Sequence, residues 1–266
     1  MLDRFNRNIS YLRISVTDRC NLRCRYCMPE EGVQWIPHQD ILSFEEIVEV
    51  VKVSVNLGIS KIRLTGGEPL VRKGISDLVR MIAAIPGVED LAMTTNAIFL
   101  EQFAEELAGA GLKRVNVSLD TLDPGKYNHL TRGGDIRKVM RGLKAAKKAG
   151  FQPIKINCVI TSQTSVQDKE QLRGFCADNN YQLRFIREMS LTDGEFYPVE
   201  GGKGGRCNIC NRIRLTARGE VIPCLFSEDR YNIRDYGIED AILMAVSAKP
   251  ASGKKNKINS FYNIGG

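Results

Sequence analysis

The stretch YLRISVTDRCNLRCRYC, residues 11–27, decides the reading. Tyr11 to Val16 read as a β-strand rich in branched apolar residues. The chain then drops into a loop carrying Cys20, Cys24 and Cys27, with three and then two residues between them. Three thiolates on so short a loop can hold three corners of a four-iron cluster and leave the fourth iron open. A zinc site short of one ligand is the alternative that spacing leaves standing. Structural zinc is normally closed by four ligands, and neither His38 nor His129 lies in the loop.

Outward from that loop, strand-like and helix-like segments alternate. Strands are predicted at 11–16, 61–65, 90–94, 113–119, 153–160 and 182–187, with helices at about 74–84, 99–110, 135–149 and 168–178. A further helix opens at Ser43, an N-cap with Glu46 three residues on, and carries Phe44, Ile47, Val48, Val51 and Val55 at helical spacing up to Gly58. Such alternation predicts a parallel α/β fold. Polar or glycine residues follow the strands at their C-terminal ends: Gly66-Gly67-Glu68-Pro69, Thr94-Thr95-Asn96, Ser118-Leu119-Asp120 and Met189. A site drawing on nearly every strand favours a barrel-like arrangement, here a partial, six-stranded TIM-type barrel over residues 1–189. Residues 190–266 are expected to form a small C-terminal iron–sulfur segment, loop-rich at first and ending from Lys249 in an irregular tail.

Composition sets bounds. The 266 residues are 43% hydrophobic and carry a net charge of +7, which suits an anionic partner. Arg137, Lys138, Arg141, Lys144, Lys147 and Lys148, with Lys254, Lys255 and Lys257, read as solvated surface. No apolar run approaches the roughly 18 residues of a membrane span, and the N-terminus lacks a signal-peptide pattern, so a cytoplasmic location with no membrane partner is expected. No aromatic stacking run or nucleic-acid motif accompanies the basic charge, so a nucleic-acid partner is not expected. Eight cysteines in such a chain point to metal or redox chemistry. Cys158 and Cys176 read as core residues; the others form the first triad and a second, Cys207, Cys210 and Cys224, with two and then thirteen residues between members. A zinc knuckle remains open for the second triad on spacing alone.

Residues 13–29, RISVTDRCNLRCRYCMP, resemble the radical S-adenosylmethionine (SAM) superfamily and, more closely, the GTP 3′,8-cyclase family of molybdenum-cofactor biosynthesis. NRIRLT at 211–216 and PCLF at 223–226 are similar to that family's second-cluster segment, and Gly265-Gly266 to its diglycine tail. The resemblance implies two [4Fe-4S] clusters as cofactors, with SAM chelating the open iron of the first. It places Tyr26, Gly66, Gly67, Glu68, Asn96, Ser118 and Met189 at SAM, with Glu68 facing the ammonium group. It places Arg13, Arg63, Thr94, Lys155, Arg212, Ile213 and Arg214 at GTP, whose guanine would bind the open iron of the second cluster. Arginine forks and a lysine suit a triphosphate. Read without the resemblance, strand-end exposure or ion pairs with Glu68 or Asp120 would also account for these cations.

The implied reaction converts GTP to (8S)-3′,8-cyclo-7,8-dihydroguanosine 5′-triphosphate. A 5′-deoxyadenosyl radical would remove the ribose 3′ hydrogen; Arg13, Arg212 and Arg214 are the catalytic candidates. An electron-donor protein is implied as partner, and a homodimer is allowed. Alternatives are a two-cluster radical SAM enzyme acting on a peptide or another nucleotide, and a non-catalytic iron–sulfur paralogue. The chain departs from the family between the two triads: seventeen residues separate Met189 from Cys207, where the family carries several dozen more. Even so, the linker can span up to about 55 Å when extended. Ser190-Leu191 replaces a proline-containing turn, and Ala97 a common glycine.

Overall fold

The strand–helix alternation folds as one sheet in the computed structural model, which describes residues 1–264. Strands β1 (Tyr11–Ser15), β2 (Lys61–Thr65), β3 (Asp90–Thr95), β4 (Arg114–Ser118), β5 (Lys155–Ile160) and β6 (Gln182–Arg187) lie side by side, each parallel to the next. Helices α1 (Phe44–Asn56), α2 (Ile75–Ala83), α3 (Leu100–Gly109), α4 (Pro124–Thr131), α5 (Ile136–Lys148) and α6 (Val166–Asn179) occupy the crossovers. The sheet does not close. β6 stays an edge, while β1 takes β7 (Arg212–Leu215) in parallel on its other side, followed by antiparallel β8 (Glu220–Ile222) and β9 (Tyr231–Asn232). The fold is therefore a partial TIM-type barrel whose sheet runs without a break across residue 189 into the second-triad segment. Helices α7 (Ile233–Tyr236), α8 (Ile238–Ser247) and α9 (Phe261–Ile264) complete the chain.

Strand parity explains where the core sits. Leu12 and Ile14, Ile62 and Leu64, Leu91 and Met93, Val115 and Val117, Ile156 and Cys158, and Ile213 and Leu215 all point to one face and are buried among the helices. Helix α1 supplies Ile47, Val48, Val50 and Val51 to that layer, each such burial stabilising the fold by about 1.5–3 kcal/mol. Its start is fixed by a capping box: Glu46 N donates to Ser43 Oγ at 3.1 Å, and Ser43 N to Glu46 Oε2 at 2.7 Å. Cys158 and Cys176 are core residues, as expected.

Four helices, α4, α7, α8 and α9, were not expected from the sequence. α4 has little apolar periodicity, but Asp123 caps it and Pro124 opens it, a start signal that was present. α8 follows Gly237 and buries Ala241, Ile242, Ala245 and Val246. From residue 249 to 260 the tail is irregular, as expected, before α9; it is nonetheless packed down, with Lys249, Asn256 and Asn259 buried and Asn259 Nδ2 donating to the carbonyls of Leu225 and Ser227 at 2.7 and 3.0 Å. The basic side chains of α5 and Lys254, Lys255 and Lys257 are exposed. Gly265-Gly266 lies outside the described residues. No helix among the described residues is long and apolar enough to cross a membrane.

Candidate active site

The first triad hangs between β1 and β2. Gly67 N donates to Thr17 O at 2.8 Å and Glu68 N to Arg19 O at 2.9 Å, so the turn after β2 seats directly on the loop leading to Cys20. A Cβ on Gly66 would sit 2.3 Å from Thr17 O, and one on Gly67 2.3 Å from Arg19 O. The close approach these glycines permit is thus to the cysteine loop's own backbone. Cys20 Sγ accepts from Leu22 N at 3.4 Å and from Asn96 Nδ2 at 3.8 Å, donors of the kind that orient and tune ligating thiolates.

Two carboxylates stand behind this loop. Glu68 is 1% exposed and accepts from Leu70 N, Thr95 Oγ1 and Asn96 N at 3.0, 2.7 and 2.6 Å; burial nevertheless pushes its pKa up to about 7. Asp120 accepts from Tyr26 Oη at 2.8 Å and Val159 N at 2.7 Å, and burial raises it to about 6. Both carboxylates are thereby engaged by donors other than the arginines. Burial, reinforced by Glu68, lifts the Cys20 thiol to about 11, and burial with the charge of Cys20 lifts Cys27 to about 12.

The second triad has different neighbours. Cys207 lies in a short 3-10 turn before β7, Cys210 at its end, and Cys224 just beyond β8. Phe226 N donates to Cys224 Sγ at 3.5 Å and Arg212 Nη2 to Cys210 Sγ at 3.9 Å. Burial opposes ionisation of Cys210, yet the charges of Lys249 and Arg212 with the Arg212 hydrogen bonds carry its pKa down to about 7.

Between the triads lies the sheet's other face. Parity brings Arg212 and Arg214 of β7, Tyr11 and Arg13 of β1, Arg63 of β2, Thr94 of β3, Arg114 and Asn116 of β4, Lys155 and Asn157 of β5 and Arg184 of β6 to that one side. Direct pairing in register sets Arg13 between Arg63 and Arg214. These cations repel one another: Arg13 feels Arg214, Arg63 and Arg212, and Lys155 feels Arg184, Arg114 and Arg63. Asp90 relieves only part of this, since Arg114 already grips it with Nε–Oδ1 at 2.8 Å and a second contact from Nη2 to Oδ2. Burial together with these neighbours lowers Lys155 to about 8. On the same face Tyr11 Oη, Arg63 Nε, Thr94 Oγ1, Asn116 Oδ1, Asn157 Oδ1 and Arg184 Nε are buried without a hydrogen-bond partner. Buried polar atoms are almost always paired. The orphaned Nε and hydroxyl donors, interleaved with cations, can seat an anionic group, and the amide oxygens can accept from its hydroxyls.

The short linker covers this seat. Phe185 and Glu200 exchange backbone hydrogen bonds at 3.1 Å, Ser190 and Glu195 form a second bridge, and the Arg187 guanidinium lies 4.1 Å from the Tyr197 ring centre. A Cβ on Gly205 would sit 1.9 Å from Tyr197 O, so glycine is what lets this linker double back. Together these elements enclose a cavity of about 360 Å³, within the range of small-molecule sites. The cavity brings together both cysteine triads with Tyr26, Gly66, Gly67, Glu68, Asn96, Ser118 and Met189, and with Arg13, Arg63, Thr94, Arg212 and Arg214.

Two expected residues are placed elsewhere. Ile213 points into the core, because it alternates with Arg212 and Arg214. Lys155 lies at the start of β5, outside the cavity lining, coupled to it through Arg63 and Arg184. Arg184 and Lys249 line the cavity and were not foreseen. Parity with Ile186 on β6 would have found Arg184; nothing local marks Lys249.

Each triad offers three soft sulfur donors and no fourth ligand, with N–H groups directed at Cys20, Cys210 and Cys224. That donor chemistry fits a four-iron cluster with one open iron. Among the described residues no three His, Cys, Asp or Glu side chains converge as the ligands of a single ion would.

A family profile described as "Radical SAM superfamily" matches residues 14–176. The GTP 3′,8-cyclase of Thermodesulfovibrio yellowstonii is 41% identical over 304 positions, covering 94% of this chain and 94% of that protein. The GTP 3′,8-cyclase of Syntrophomonas wolfei is 38% identical over 329 positions, covering the whole of both. Each alignment is longer than the 266-residue chain, so the alignments contain gaps facing residues that these relatives carry and this chain lacks. Among solved structures, Streptococcus suis SuiB bound to S-adenosylmethionine superposes with a TM-score of 0.69 at 18% identity, covering 92% of this chain and 65% of that one. At such identity the likeness concerns the fold alone.

Proposed function

We infer the chemistry from the family to which the chain belongs, the radical SAM superfamily and, within it, the GTP 3′,8-cyclases. The protein is a radical SAM enzyme acting on GTP. When bound, an iron–sulfur cluster on Cys20, Cys24 and Cys27 with SAM supplies one-electron cleavage to a 5′-deoxyadenosyl radical. Every other part of the task falls to the chain.

Glu68, still offering lone-pair capacity on Oε2, would take the SAM ammonium, with Asn96, Ser118, Tyr26 and Met189 around the nucleoside and Gly66-Gly67 fixing the turn. Arg13, Arg63, Arg184, Arg212 and Arg214, backed by Lys155 and with Thr94, would take the triphosphate and ribose of GTP. A second [4Fe-4S] cluster on Cys207, Cys210 and Cys224 would receive the guanine at its open iron. Arg13, central in the row of cations, is our choice for stabilising the cyclised product radical as it is reduced. The linker over the cavity would exclude water and quenchers from the radical steps. An electron-donor protein in the cytoplasm would complete the cycle.

The observation that carries this reading is the array of cations and orphaned polar atoms set between two open cysteine triads. It favours a nucleoside triphosphate over a peptide. Anaerobic incubation of the reconstituted enzyme with SAM, dithionite and GTP tests it, with 3′,8-cyclo-dihydro-GTP as the expected product. Formation of 5′-deoxyadenosine without a cyclised guanosine would remove the reading.

A further inference from the structure

The second triad stands on two limbs of chain, Cys207 and Cys210 in one 3-10 turn and Cys224 just beyond β8, and two buried cations outside that triad tie the limbs down. Lys249 is 1% exposed, and its Nζ donates to Arg212 O at 2.6 Å and Pro223 O at 2.9 Å. Arg212 follows Cys210 by two residues; Pro223 immediately precedes Cys224. Arg7 holds the Cys207 end of the first limb. Its Nη1 donates to the carbonyl of Cys207 itself at 2.8 Å and to Ala251 O at 3.2 Å, and its Nη2 to Pro250 O at 2.7 Å. Asp3 fixes the guanidinium from behind through Nε at 2.6 Å. Residues 249–251 are therefore the point where both limbs and the N-terminal segment meet, and none of these bonds reaches the first triad.

We propose that Lys249 and Arg7 form a cationic clasp that positions the second triad for its cluster, using the tail after α8 and the N-terminal segment as its two arms. This rests on the two-cluster reading above. The physical case is that a triad split between the Cys207–Cys210 turn and a distant Cys224 needs the placing of its two limbs imposed from outside, whereas Cys20, Cys24 and Cys27 have theirs from one loop. Generic satisfaction of loop carbonyls does not account for the choice of carbonyls: one belongs to a cysteine, and two lie within two residues of the others. A buried ammonium would also offset the negative charge of thiolate-bound iron, one of the factors that set cluster potential.

The test compares full-length wild type, Lys249→Met and Lys249→Arg after anaerobic reconstitution, reading iron, sulfide and the electron paramagnetic resonance of the reduced protein alone, with SAM and with GTP. Wild type should bind about eight irons per chain. Lys249→Met should bind about half as many, lose the signal that GTP perturbs, and keep the signal that SAM perturbs. Lys249→Arg should recover part of the missing iron. Should Lys249→Met prove insoluble, Asp3→Asn/Arg7→Gln removes the second arm without stranding a buried carboxylate, and the same selective loss is expected. Full second-cluster iron in the soluble variant, or equal loss from both triads, would overturn the clasp. Only four irons in the wild type would instead overturn the two-cluster reading, and the clasp with it.

Discussion

The two cysteine triads face each other across one cavity, yet they are built in opposite ways. The first is local: Cys20, Cys24 and Cys27 share a loop whose backbone is pinned by Gly66 and Gly67. Its surroundings are acidic, with Glu68 and Asp120 behind it and the thiols of Cys20 and Cys27 raised to about 11 and 12, first by burial. The second is assembled from two distant limbs, the Cys207–Cys210 turn and Cys224, and its surroundings are basic enough to carry Cys210 down to about 7. Charge distinguishes the ligands each site suits. Carboxylates beside the first triad suit the ammonium end of SAM, and arginines beside the second suit a phosphorylated substrate.

The sharpest way to break this contrast is to remove one thiol. Cys24→Ala should abolish SAM cleavage, with 5′-deoxyadenosine falling to the no-enzyme background in a chromatographic assay. Retained cleavage would mean that the first triad does not generate the radical.

The anion seat comes next. Arg63→Met or Arg184→Met removes a half-buried cation whose buried Nε has no hydrogen-bond partner in the free protein. Truncating such a charge pair costs about 2–5 kcal/mol, so GTP should bind roughly 30- to 5,000-fold more weakly. SAM affinity should stay as it was. Titration calorimetry with each ligand reads both, and equal weakening of the two would merge sites described here as distinct.

A smaller effect tests how far the first site depends on its glycines. In Gly67→Ala the new methyl meets Arg19 O; a cost of about 2–4 kcal/mol is expected. The Tm should fall by roughly 5–10 °C, with iron lost from the first triad before the second. An unchanged Tm would show that the loop yields easily.

The smallest effect is in pH. Free Lys155 gives up its proton near pH 8, because burial and Arg184, Arg114 and Arg63 disfavour the ammonium while Asp90 supports it. A bound triphosphate would hold that proton. Binding therefore takes up a proton above pH 8, and GTP affinity should weaken by up to about tenfold per pH unit there. Below pH 8 Lys155 is charged in both states and contributes no slope. In Lys155→Met the slope should vanish.

These sites were not equally legible in the sequence. The first triad and its glycine turn could be read because each lies within a few consecutive residues directly after a strand. The six parallel strands were readable for a similar reason: branched apolar runs alternate with amphipathic helices, and parallel pairing follows from the crossovers. Arg184 was missed because β6 was read as a strand without asking which parity faces the cavity. Lys249 was beyond local reading. It follows a helix and precedes Pro-Ala-Ser-Gly, a loop by composition, and only the folded chain shows that this loop docks beneath β7 and β8. Ala97 has a physical explanation as well: its φ of 63° is left-handed, the conformation that makes glycine common there.

The division of labour between the triads is tested most directly in Cys224→Ala, reconstituted beside wild type and supplied with SAM, dithionite and GTP. The variant is expected to bind about four irons fewer, to keep producing 5′-deoxyadenosine, and to make no cyclised guanosine triphosphate. A variant that still cyclises GTP, or one that loses SAM cleavage together with cyclisation, would contradict the separation of radical generation from substrate binding.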